Sequence, residues 1–155
     1  MRQTLSIPQW HALAQEGSRL PMRILIQGWS MYPLIRKNQD YVTILPLDGL
    51  PQRGDIVLFS DPARERYVLH RVWKTAAGRA LTWGDNCQAP DAWIPLDAVW
   101  GKAALIERGK RKIRPHPRQG LLLARVLHAL LPARHFAGTI KRRVKKWIKA
   151  AKGGA

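Results

Sequence analysis

Between residues 23 and 108 the chain consists of short apolar runs that turn residues interrupt every few positions, a punctuation that leaves room for strands and little for helices. The runs are RILIQG (23–28), YVTILPL (41–47), DIVLFS (55–60), RYVLHRVWK (66–74), RALTWG (79–84) and VWGKAALIER (99–108). Val, Ile, Leu, Tyr and Trp dominate them, the residue types that suit a pleated, partly buried surface. DGLPQRGD (48–55), DPARE (61–65) and AAGR (76–79) supply the turns, and Gly78 can take positive φ in a tight hairpin. A mainly β domain of antiparallel strands follows. The stretch NCQAPDAWIPLD (86–97), with two prolines and little periodicity, reads as a long functional loop.

Helices are expected only at the two ends. Residues 8 to 20 place Trp10, Leu13 and Ala14 on one side, with Gly17 as a stop. After Glu107 the texture changes to GKRKIRPHPRQG, whose prolines should end the last strand. The expected organisation is a β-domain over 1–108 with its core at 23–108, a basic linker over 109–118 and a basic helical extension over 119–155. Within that extension LLLARVLHALLP (121–132) has helical character. TIKRRVKKWIKAAK (139–152) sets Ile140, Val144, Trp147, Ile148 and Ala151 on one stripe.

Charge follows the same division. The 155 residues hold 27 Lys and Arg against 10 Asp and Glu, a net charge of +17. Residues 1–106 carry 12 basic and 9 acidic side chains, whereas residues 107–155 carry 15 and 1. A basic amphipathic helix with a tryptophan on its apolar stripe suits an anionic membrane surface. Nucleic-acid backbone is the competing partner, and packing of the stripe on the β-domain is the third reading. One cysteine, Cys87, excludes an internal disulfide. No run has the length of a membrane span or of a signal-peptide core. The expected location is the cytosol, free or peripheral on the inner face of the membrane. No histidine or cysteine pair has metal-ligand spacing, and no cofactor is expected.

The candidate chemistry begins at QGWSMYP (27–33), where Ser30 is framed by Trp29 and Met31 just after a strand. A serine hydroxyl needs a base to remove its proton. Of the five histidines only His70 lies in an expected β-domain strand, with Val68 and Val72 on its face and Tyr67, Leu69, Arg71 and Trp73 on the other. A histidine there must find partners, because an unpaired polar group is costly in a core. Asp85 and Asp91 are the carboxylates within reach of such a role, as orienting groups or as ordinary turn residues.

GWSMYP, RGDIVLF (53–59), YVLHRV (67–72), GDNCQAPD (84–91) and VWGKA (99–103) together resemble, in order and spacing, the boxes of type I signal peptidases. The resemblance covers roughly residues 24 to 106. It implies a β-rich catalytic fold shared with the self-cleaving repressor peptidases. The sequence His70-Arg71 resembles the endoplasmic-reticulum and archaeal-type branch, which uses histidine where most bacterial members use lysine. Carried over, Ser30 is the nucleophile, His70 the general base and Asp91 the completing aspartate, with Asp85 in support. Met31 would help to form a pocket for a small residue before the cut. Some relatives place a side-chain hydroxyl two residues before the serine as an oxyanion donor; Gly28 stands there in this chain, which leaves the Ser30 N–H as the candidate.

The resemblance thus implies a serine endopeptidase acting on a peptide or preprotein, bound as an added strand. Relatives are anchored by a membrane span ahead of the serine box. None is expected here, which favours the maturation of a specific peptide. Two alternatives stay open on the residues: a repressor-like, nucleic-acid-binding regulator that cleaves itself, and an inactive relative kept as a peptide-binding module. Cys87 is a rival nucleophile without a cysteine-peptidase signature around it.

Overall fold

The computed structural model describes residues 5–61 and 66–131. The chain opens on helix α1, Ile7–Gln15. Ser6 caps it by accepting from the Gln9 N–H, while the Gln9 side chain accepts from the Ser6 N–H, a reciprocal box that satisfies two otherwise orphaned donors. Such a cap contributes about 1 kcal/mol. The helix ends at Gln15, earlier than the expected residue 20, and Gly17 follows at φ 93°. Its anchor is Trp10, which is buried and donates from Nε1 to the Leu20 carbonyl at 2.8 Å.

Eight strands follow: β1 Met22–Leu25, β2 Asp40–Pro46, β3 Ile56–Asp61, β4 Arg66–Ala76, β5 Arg79–Trp83, β6 Trp93–Pro95, β7 Val99–Arg108 and β8 Arg111–Ile113. They form one sheet in the order β1-β2-β7-β3-β4-β5-β6, with β8 on β7, and every pairing is antiparallel. The architecture is therefore mainly β, with a short N-terminal helix and a helix after the last strand. Alternation along the strands divides the core into two clusters. Ile56, Leu58 and Leu69 join Trp10, Met31, Ile44 and Ile106 in one; Val57, Phe59, Val68 and Val72 join Ala80 and Val99 in the other.

Two short strands were not expected. Residues 93–95 lie inside the stretch read as loop, where they pair with Arg79–Leu81. The expected linker over 109–118 needs a larger correction. Gly109, at φ 56°, turns the chain back, so that residues 111–113 pair with residues 106–108 and continue the sheet. The prolines act only after that. Pro117 occupies the first position of helix α2, which is described over 117–131 and so starts earlier than the expected residue 121. The stretch at 139–152 lies outside the described residues, and the turn at 61–65 does so in part.

Helix α2 packs closely on the β-domain. Gly120 sits against the Arg71 guanidinium, where a Cβ would meet Nη1, while Ala124 and Leu131 are buried. Its other face leaves Leu122, Leu123, Val126 and Leu130 exposed. No described helix is long and apolar enough to cross a membrane.

Arg71 is the polar centre of this packing. Its Nε and Nη2 donate to the two oxygens of Asp85 at 2.9 and 2.7 Å, Nη1 donates to the Gly54 carbonyl at 2.9 Å, and both side chains are fully buried. A bidentate pair with its third donor also satisfied has the geometry that offsets desolvation. Asp85→Ala, which strands a buried guanidinium, should lower unfolding stability by about 3–5 kcal/mol. Urea denaturation measures this, and a loss below about 1 kcal/mol would mean the pair is not what holds these segments together.

Candidate functional site

Ser30 lies in the loop between β1 and β2, and two sets of contacts fix that loop. On one side Met31 and Ile35 are buried in the core, and Asp40 accepts from the Arg36 N–H and from Arg108 Nε and Nη2, the last at 2.6 Å. Burial works against the Asp40 charge, but these donors prevail and hold its carboxyl below the ordinary value. On the other side the turn after β5 grips the serine itself. The Asn86 N–H donates to the Ser30 carbonyl at 2.7 Å, and the Asn86 side-chain amide donates to the Trp29 carbonyl at 3.1 Å. Among the described residues the Ser30 N–H has no hydrogen-bond partner.

His70 stands mid-strand in β4 with its side chain 5% exposed. Nδ1 meets Asp91 Oδ2 at 2.6 Å, so Nδ1–H donates to the carboxylate and Nε2 is turned the other way. Asp91 is itself secured to β5: Thr82 Oγ1 donates to Oδ2 at 2.8 Å, and the Asp91 N–H donates to the Thr82 carbonyl at 2.9 Å. Since strand neighbours point to opposite faces, His70 and Arg71 send two ion pairs to opposite sides of β4, one to Asp91 and one to Asp85.

The far edge of His70 meets the serine loop at Gly84. A Cβ on that residue would lie 2.9 Å from His70 Nε2, 2.8 Å from the Ser30 carbonyl oxygen and 2.7 Å from Cys87 Sγ. Only glycine allows the three groups to converge. Ser30, His70 and Cys87 also line one cavity of about 930 Å³, walled by Ile24, Ile26, Met31, Leu58 and Val68. The cavity is bounded by residues 24–31 and 66–70. Among the described residues β1 pairs only with β2, and residues 66–70 of β4 pair only with β3, so each of these strands has an edge without a partner.

Each expected site residue has a definite place. Ser30, His70 and Asp91 are brought to one region, although among the described residues no hydrogen bond joins Ser30 Oγ to His70. Asp85 gives both oxygens to Arg71, and among the described residues no hydrogen bond joins it to His70. Met31 is core and cavity wall at once. At Gly28 a Cβ would find Ser30 Oγ at 4.0 Å and nothing closer. Sequence reasoning missed Thr82 and Asn86, which carry no signal of their own. It set aside Cys87, whose sulfur is beside His70. No group of three His, Cys, Asp or Glu among the described residues is placed to hold a metal ion. The chain matches no protein-family model and no curated protein.

Burial pushes the His70 pKa down, but hydrogen bonds to Asp91 and Cys87 and the electrostatic pull of both raise it to about 9 from the ordinary 6.5. A raised value in the fold means that the pair's contribution to stability is full below pH 6.5 and is lost as pH rises through about 9. The imidazole should therefore titrate by NMR with an alkaline midpoint, and Asp91→Asn should move that midpoint to lower pH. A midpoint at the ordinary histidine value in the unsubstituted protein would remove the Asp91 pairing from the account.

Proposed function

We propose that the chain is a serine endopeptidase of signal-peptidase type, with Ser30 as nucleophile, His70 as general base and Asp91 as the group that orients the base. The observation that carries this reading is the buried His70–Asp91 pair, with Nδ1 held at 2.6 Å, in a histidine that lines the same cavity as Ser30. A carboxylate on Nδ1 fixes the tautomer in which Nε2 can take a proton.

In this mechanism a peptide lies as an extended strand between the free edges of β1 and β4, a mode in which main-chain hydrogen bonds supply most of the affinity. With substrate bound, Ser30 Oγ hydrogen-bonds to His70 Nε2. Oγ attacks the scissile carbonyl carbon, and its proton passes to Nε2. The tetrahedral oxyanion is stabilised by the unpaired Ser30 N–H, a donor of the kind typically worth about 3 kcal/mol. His70 then returns the proton to the leaving amine, and the acyl group remains on Ser30. Water, deprotonated by the same imidazole, releases the acid and restores the serine. The apolar wall with Met31 beneath the serine favours a small or apolar residue before the cut.

His70 must be neutral to act as base, so a pKa of about 9 implies cleavage that accelerates as pH rises toward that value. Incubation with a peptide library, read by mass spectrometry, should give cuts after a restricted set of residues at alkaline pH. Ser30→Ala and His70→Ala should each reduce cleavage by about 10³-fold or more with the fold intact. A folded Ser30→Ala protein that still cuts would overturn the assignment.

A further inference from the structure

Helix α2 reaches the turn after β5 through the side chain of His128. His128 is enclosed by two tryptophans: its ring centroid is 4.0 Å from that of Trp83, nearly parallel at 23°, and 5.0 Å from that of Trp73 at 26°. From that stack Nε2 meets the Gly84 carbonyl at 2.9 Å. A carbonyl only accepts, so Nε2 carries the hydrogen and donates it. The same carbonyl accepts the Cys87 N–H at 3.0 Å, and Trp83 Nε1 donates to the Cys87 carbonyl at 3.0 Å. The turn 84–87 is thus pinned from behind by α2 and the Trp83 side chain.

Packing alone does not explain a histidine in this position. Among the described residues its Nδ1 is buried without a hydrogen-bond partner, and so is Trp73 Nε1. A leucine would fill the space and leave no orphaned nitrogen on the helix, since unpaired buried polar groups are costly. What histidine adds is the bond to Gly84. Gly84 is the residue whose Cα borders the Ser30 carbonyl, His70 Nε2 and Cys87 Sγ. Its neighbours Asp85 and Asn86 bind Arg71 and the Ser30 carbonyl. A displacement of this carbonyl is transmitted to both the nucleophile and the base.

We propose that His128 is a positioning residue for the Ser30–His70 site: it donates to Gly84 and so sets the distance between the serine loop and the imidazole. This rests on the peptidase reading for its catalytic consequence, but its geometric content stands apart from it. His128 touches neither substrate nor reacting atoms and acts only through the turn.

Two substitutions separate positioning from packing. His128→Leu keeps the apolar filling and removes the donor, whereas His128→Gln keeps an N–H that can reach the Gly84 carbonyl. In peptide cleavage, His128→Leu should lower kcat about tenfold or more, since small misplacements at a site are magnified in rate. KM should stay within about twofold, and His128→Gln should recover most of the loss. Labelling of Cys87 by an aromatic disulfide reagent should change about threefold or more in His128→Leu, because the thiol and His70 shift relative to each other. The His70 NMR midpoint should move with it, and both should return in His128→Gln. A folded His128→Leu protein with wild-type kcat, labelling rate and midpoint overturns the proposal. If the wild-type protein cuts no peptide, the peptidase reading falls. The labelling and titration results then decide the positioning role by themselves, a change that His128→Gln reverses supporting it and no change refuting it.

Discussion

The buried Arg71–Asp85 pair is the contact on which the arrangement of this molecule depends. It joins strand β4 to the turn after β5, adds the segment before β3 through the Gly54 carbonyl, and provides the flat face on which Gly120 of α2 rests. Four separate stretches of chain meet at one guanidinium. A charge so placed tolerates no loose geometry, because any donor left unpaired in the interior is costly. The turn 84–87 is therefore held where the site needs it before any functional contact is counted.

The site occupies the opposite side of β4. His70 is covalently next to Arg71, and its pair with Asp91 is fixed by the period-two geometry of the strand that directs Arg71 the other way. The two aspartates come from one short stretch, so the single connection between β5 and β6 answers both neighbours. One aspartate is structural and fully buried, with both oxygens committed to the guanidinium. The other remains partly exposed, at 15%, and pairs with the histidine that lines the cavity. The two carboxylates thus differ in surroundings as well as in partner, one facing a guanidinium in the core and the other an imidazole.

The strands of the β-domain were legible because β-branched and aromatic residues alternate within runs bounded by glycine and proline. The two strands that were not, at 93–95 and 111–113, are three residues each, too short for alternation to show, and both exist only by pairing with longer neighbours. The same limit applies at the site. Residue type offered Ser30 and His70 with either Asp85 or Asp91, the resemblance to signal peptidases pointed to Asp91, and the structure brings Ser30, His70 and Asp91 to one region. That Asp85 would pair with Arg71, that Thr82 would hold Asp91, and that Cys87 and His128 would border Gly84 are long-range facts. Residue type and spacing carry no mark of them, and each emerges only when β5 is laid against β4 and α2 against both. The strongly basic end shows the reverse case, a compositional signal that is plain in the sequence and falls in part beyond the described residues.

The central claim is that Ser30 becomes nucleophilic because His70, oriented by Asp91, accepts its proton. Reaction with a fluorophosphonate, which captures activated serines, followed by peptide mapping tests this without knowledge of the substrate. The account predicts one adduct, on Ser30, formed faster as pH rises toward about 9 and lost in His70→Ala. An unmodified Ser30 in the folded protein, or equal modification with and without His70, would contradict it.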